Sequence, residues 1–108
     1  MPQSNDIEHR FHLVEQAIGQ AAQASSAERN LPSELRDSIQ RIDRLSDSAR
    51  AILLSQDAAR IRQLITDMAL LAERAKRVCV NVPSLSAQMK GSVTHMHSQI
   101  LELKRDVL

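Results

Sequence analysis

At 108 residues and a formal net charge of +1, the chain is sized for one domain and has no global field to steer it to nucleic acid or an anionic membrane. Two Gly and three Pro exclude a loop-rich or collagen-like chain, and one Cys excludes an intrachain disulfide framework. Trp and Tyr are absent and Phe11 is the only aromatic residue, so the core is drawn from Leu, Ile, Val, Met and Ala.

Aromatic side chains bury the largest areas per residue, so a short chain without them has a thin core. A second copy would add burial, and we expect a homodimer on that ground. The lone Cys79 fits a reducing compartment. Residues Met1-Pro2-Gln3-Ser4-Asn5-Asp6 contain no basic stretch leading into an apolar run, so no secretory signal is expected. No apolar stretch approaches the roughly 18–20 residues that span a bilayer. The expectation is a cytoplasmic protein with no membrane contact.

The first helix is expected over residues 5–28, with Asn5 and Glu8 at capping-box spacing. Its apolar positions are Ile7, Phe11, Val14, Ile18 and Ala21 or Ala22, a heptad-like seam. Asn30-Leu31-Pro32-Ser33 then stops one helix and starts another. Proline is tolerated in a helix's first turn and pushes the residue before it out of the α region. The second helix is expected over 32–54, with seam Leu35, Ile39, Ile42, Leu45, Ala49, Ile52 and Leu53. On its far side Asp37, Arg41, Arg44 and Asp47 alternate in charge, and Asp37–Arg41 and Asp43–Asp47–Arg50 read as a solvated, self-compensating surface.

Residues Leu54-Ser55-Gln56-Asp57 contain neither Gly nor Pro. Ser55 suits an N-cap and Asp57 a first-turn acid, which predicts a break there. Without it the bundle would have three helices, one of them very long for a globular chain. The third helix is expected over 56–81, with seam Ile61, Leu64, Ile65, Met68, Leu71, Ala72, Ala75, Val78 and Cys79. A second phrase, Asn81-Val82-Pro83-Ser84, introduces a fourth helix over 84–107, with seam Leu85, Met89, Val93, Met96, Ile100, Leu103 and Val107. The two proline phrases are not read as a duplication. At their spacing Phe11 falls on Arg62 and Ile18 on Ala69.

The charge is uneven. Residues 1–29 carry Asp6, Glu8, Glu15 and Glu28 against Arg10 and Arg29, while residues 56–82 carry Asp57, Asp67 and Glu73 against Arg60, Arg62, Arg74, Lys76 and Arg77. That asymmetry favours pairing of the two segments, within a chain or between copies.

Candidate chemistry is sparse. Cys79 lies on the apolar stripe, where a thiol behaves as a small hydrophobe, with a redox or intersubunit role as the alternative. His95 and His97 point to different sides of a helix. His9 and His12 share a face away from the seam, and metal sites need three or four convergent ligands. We therefore expect no metal and no other cofactor. Met89-Lys90-Gly91-Ser92 resembles the segment after the phosphoacceptor in histidine phosphotransfer domains, which are also four-helix bundles. In that pattern a His lies three residues before the Lys. Here the position is Ala87, so the resemblance lacks its chemical group and no phosphorelay function is assigned.

Arg74, Lys76 and Arg77 cluster late in the third helix, where the helix dipole favours cations. A contact to phosphate or to an acidic partner is the alternative reading. Base-stacking aromatics and a strongly basic recognition helix are both missing. Leu13, Leu70 and Leu101 fall off their helices' seams and are read as a second contact surface or a widened core.

The sequence thus predicts an all-α, antiparallel up-down bundle of four helices in a single domain, residues 1–108. No enzymatic motif is found. The expected function is a helical protein–protein interaction module, a regulator, adaptor or chaperone acting through apolar helix faces. Leu13, Leu70, Leu101, Arg74, Lys76 and Arg77 are its candidate surface. Two alternatives stand beside it. A nucleic-acid regulator would use the Arg60–Arg62 and Arg74–Arg77 faces. A metal-responsive sensor would need His9, His12, His95, His97 or Cys79 to converge.

Overall fold

A computed structural model describes residues 4–107, with side chains described from Ile7. Its four helices are α1 (Ser4–Ala27), α2 (Ser33–Leu54), α3 (Ala58–Asn81) and α4 (Ala87–Val107). They form an elongated bundle of 42 × 19 × 19 Å. Around the bundle the order is α1, α4, α3, α2, with α1–α4, α4–α3 and α3–α2 closely packed and α2–α1 the loosest seam. The Asn5 cap expected from the sequence lies outside the described side chains.

Neighbouring helices run antiparallel. Arg10, early in α1, pairs with Glu102 (2.6 Å) and Asp106 (3.1 Å), late in α4. At the other end, Glu28 just beyond α1 meets Ser86 just before α4. α1 and α3 lie on a diagonal of the bundle: their backbones are not neighbours, although their side chains share one core. Among the described residues no ion pair joins the acidic first segment to the basic third one, so the expected pairing is not seen within the chain. The α1 acids find other partners: Glu15 takes the Arg50 guanidinium of α2 at 3.2 Å. The same contact corrects the reading of Arg50 as a partner of Asp47. Asp37–Arg41 does form, at 3.1 Å.

The two proline phrases work differently. Pro32 immediately precedes α2, and its carbonyl accepts the Arg36 N–H at 3.0 Å, the first helical bond. Pro83 instead occupies the second position of a turn closed by the Leu85 N–H on the Val82 carbonyl at 3.3 Å. Helix α4 thus starts at Ala87, three residues later than expected. The reason is a cap: the Ser86 hydroxyl accepts the Met89 N–H at 3.1 Å, and the Glu28 carboxylate accepts the Ser86 N–H at 2.9 Å. This is the logic of a capping box, with the acid supplied from the end of another helix.

The predicted break without Gly or Pro is present. Gln56 takes the left-handed conformation, φ 58°, just past the end of α2. The cap of α3 is Asp57 rather than Ser55: its carboxylate accepts the Arg60 N–H at 3.2 Å. Ser55 closes α2 instead, its hydroxyl donating to the Ile52 carbonyl at 2.6 Å and accepting the Asp57 N–H at 3.3 Å.

The core follows the seams. Phe11, Val14, Ile18 and Ala21 of α1 meet Leu35, Ile39, Ile42 and Ala49 of α2; Leu64, Ile65, Met68, Ala72, Ala75 and Cys79 of α3; and Met89, Val93, Met96, Ile100 and Leu103 of α4, all buried. Leu45, Ile52, Ile61, Leu71 and Val78, expected in the seams, are only half-buried at the core's edge. Ser38 is the buried polar residue of the core, and its hydroxyl donates to the Glu34 carbonyl at 3.0 Å. No helix among the described residues is long and apolar enough to cross a membrane.

The α2–α3 reversal generates a prediction. A left-handed conformation costs a non-glycine residue roughly 1–2 kcal/mol, so Gln56→Gly should stabilise the bundle by about 1 kcal/mol. Asp57→Ala should destabilise it by about 1 kcal/mol through loss of the cap. Urea denaturation followed by circular dichroism measures both. A lower midpoint for Gln56→Gly would contradict the left-handed reversal.

Candidate functional site

Helix α3 packs on α2 along one side and on α4 along the other. Its buried positions, Leu64, Ile65, Met68, Ala69, Ala72, Ala75 and Cys79, cover its inner half. At about 100° per residue this directs Leu70 straight outward, and it is 60% exposed. Two grooves flank that outward ridge.

The α2–α3 groove has a volume of about 430 Å³, with Leu45 and Leu71 as its apolar floor and Leu70 on the ridge above them. Arg41, Arg44 and Arg74 rim it, with Asp67 the one acid in its lining. Asp67 accepts a hydrogen bond from the Gln63 amide at 2.8 Å. The α3–α4 groove, about 470 Å³, is lined by Lys76, Arg77 and Val80 of α3 and by His97 and Leu101 of α4, with Glu73 and Asn81 at its edge. Val80 and Leu101 are exposed.

The expected surface is therefore divided. Leu70 and Arg74 belong to the first groove, Lys76 and Leu101 to the second, and Arg77 lines both the second and the far end of the first. Leu13 joins neither: it is half-buried on α1, which lies diagonally across the bundle from α3. The helix-dipole account of the cation cluster also needs correction. α3 continues to Asn81 and carries no basic residue in its last turn, and the dipole's effect fades within that turn. The arginines of the nucleic-acid alternative are not split cleanly: Arg60, Arg74 and Arg77 all line the α2–α3 side, and Arg77 also lines the α3–α4 groove.

Sequence reasoning missed Arg41, Arg44, His97 and Val80 as lining residues. Val80 carried a signal, since it follows Cys79 and falls off the seam. Arg41, Arg44 and His97 carried none, because which neighbour they face is a tertiary fact.

The remaining candidates do not converge. Among the described residues no group of three His, Cys, Asp or Glu side chains is placed to hold a metal ion. His9, His12 and His95 are exposed, whereas Cys79 is buried in the core. Burial pushes the Cys79 thiol up; Lys90 opposes this and Glu28 adds to it. Burial also pushes the His97 imidazole down, Lys76 assists, and Glu73 opposes. The Ser86 hydroxyl first, and its N–H second, hold the exposed Glu28 carboxyl below the usual carboxylate range.

Comparison with known protein families, curated proteins and solved structures finds no match to this chain.

Three expectations follow. The native state disfavours the His97 imidazolium, so the unfolded chain takes up that proton first as pH falls past its ordinary pKa of about 6.5. Thermal stability should therefore decline on going from pH 7.5 toward the lowered native value, and His97→Gln should flatten that stretch of the profile. An unchanged slope in the variant would remove His97 as its cause. Glu28 acts in a separate, lower window: its contribution is present above the ordinary carboxylate pKa and is lost as pH falls through its depressed native one. For Cys79, native-state labelling by a thiol reagent should be slower than in urea by about a thousandfold or more, the order of a folding equilibrium constant. Rapid labelling of folded protein would contradict its place in the core.

Proposed function

We propose that this chain is a helical binding module that presents α3 and its flanking grooves to a protein partner, in the manner of a regulator, adaptor or chaperone. One observation carries the reading. Leu70, Val80 and Leu101, three of the four large apolar side chains exposed among the described residues, gather around a single helix beside Arg74, Lys76 and Arg77, with Leu54 lying apart at the end of α2. A few residues dominate the binding energy at protein interfaces, arginine among those enriched there, and clustered exposed apolar side chains mark such surfaces. The grooves are open troughs between helices, a shape suited to an incoming helix.

The homodimer expected from composition rested on a core too thin to stand alone. The single chain buries a continuous core from all four helices, so burial does not call for a second copy, and dimerisation is left outside the proposal. The nucleic-acid reading is not preferred, because Asp67 and Glu73 stand among the arginines and Phe11, the chain's one aromatic residue, is buried and has no face free to stack on a base.

The test compares affinity capture from the host by wild type, Leu70→Glu, Leu101→Glu and the control Gln20→Glu, an exposed position on α1. Helicity and thermal midpoint should be alike in all four. At least one groove variant should lose its principal partner by about tenfold or more, as truncation of an interface anchor does, while the control keeps it. Identical partner profiles for all four proteins would sink the proposal.

A further inference from the structure

We infer that the α2–α3 groove is the docking site of an acidic amphipathic helix, a reading that rests on the binding-module proposal and names its partner's chemistry. The groove continues beyond its central section in both directions. Toward one end Ile52 and Arg60 line it; toward the other, Val78 and Arg77 do. From Arg60 to Val78 along α3 is roughly 27 Å at 1.5 Å per residue, the length of an 18-residue helix.

The floor is where this fold leaves apolar surface incompletely covered. Leu45, Ile52, Leu71 and Val78 pack against the core with one side and stay half-open on the other. Leu70 stands above them on the ridge. This spacing receives apolar side chains at i, i+3, i+4 and i+7 of a helix laid along the trough.

The rim gives the sign of the partner. Arg41, Arg44, Arg60, Arg74 and Arg77 border the groove along its length, against Glu34 and Asp67. Among the described residues Arg44, Arg60, Arg74 and Arg77 make no ion pair, and only Arg41 is engaged, by Asp37. Unpaired guanidiniums over an apolar floor complement carboxylates flanking an apolar stripe. A second copy of this chain is the poorer occupant, because an isologous contact sets this arginine-rich rim against itself. Nucleic acid is poorer too: the floor is aliphatic, the only aromatic residue, Phe11, is buried, and Asp67 stands in the middle of the trough.

The test uses three synthetic peptides of about 18 residues. They share leucines at the anchor positions and carry Glu, Gln or Lys on the flanks. Each is titrated into isotopically labelled full-length protein and followed by amide shifts. The Glu peptide should shift residues around Leu45, Leu70 and Leu71, and should bind about tenfold or more tightly than the Gln peptide, with the advantage shrinking as salt rises. The double variant Arg44→Glu/Arg74→Glu, exposed or half-exposed positions that leave the core intact, should reverse the preference toward the Lys peptide.

Equal affinity for all three peptides would overturn the inference, as would shifts centred on Val80 and Leu101 or no shift at millimolar peptide. So would a concentration-dependent dimer broken by Leu70→Glu, which would put a second copy on this face. If the peptides fail while Leu70→Glu still costs the native partner, the binding-module reading survives and the acidic helix does not. If both fail, both readings fall.

Discussion

The bundle turns on the reversal at Ser55-Gln56-Asp57. If α2 ran on into α3, the two would be one helix, and neither the closed core nor the α2–α3 groove would exist. Local chemistry contributes little to the decision. Gln56 in the left-handed region is unfavourable by roughly 1–2 kcal/mol, and the Asp57 cap returns about 1 kcal/mol. What tips the balance is the apolar stripe on each side. Folding back lets Ile39, Ile42 and Ala49 face Leu64, Met68 and Ala72 in one core. Each fully buried Leu, Ile or Met side chain is worth about 1.5–3 kcal/mol, so two such side chains already outweigh the strained residue. The turn is made by long-range packing and tolerated locally.

Side-chain clamps cross some seams of the bundle and are missing from another. On α1–α4, Arg10 spans Glu102 and Asp106 one turn apart, and Glu28 ties the far end by capping Ser86. Exposed pairs of this kind contribute little energy, typically under about 1 kcal/mol. They matter for register, because each holds one end of the same antiparallel pair. The α2–α3 pair has no such clamp among the described residues. None of its arginines reaches a carboxylate on the facing helix, so they remain available.

The sequence was most legible where side-chain period alone decides the outcome. The four seams, the reversal at Pro32 and the break near Ser55 follow from 3.6-residue periodicity and backbone chemistry. The start of α4 was not legible, because Pro83 permits a first helical turn there as well as the turn it makes. What delays the helix to Ala87 is Glu28, distant in sequence, accepting the Ser86 N–H. The binding surface was half legible. Leu70 and Leu101 stand out because they break their helices' patterns. That they open onto different grooves, and that Leu13 opens onto neither, depends on which helix neighbours which. Arg44 is the sharpest case. In the sequence it belongs to an alternating, self-compensating face, yet only Asp37–Arg41 pairs on the groove side of that face.

A bundle without exposed aromatic anchors has a particular way of gaining specificity. Trp and Tyr carry most interface hot spots elsewhere, and this chain has neither. Aliphatic anchors such as Leu70 offer area but weak geometric discrimination, since any apolar side chain of similar size fills the same trough. Discrimination must then come from charge around the trough. Guanidiniums there favour a partner with carboxylates at the matching helical spacing and penalise one with lysines, which would be desolvated beside like charge. The mixed composition of the rim adds a further filter. Asp67, held by Gln63 in the middle of the groove, disfavours a uniformly acidic ligand and favours one whose carboxylates leave a gap at that point. On the proposal that a helix docks there, arginines along the groove and one acid near its centre would select a charge pattern rather than a net charge.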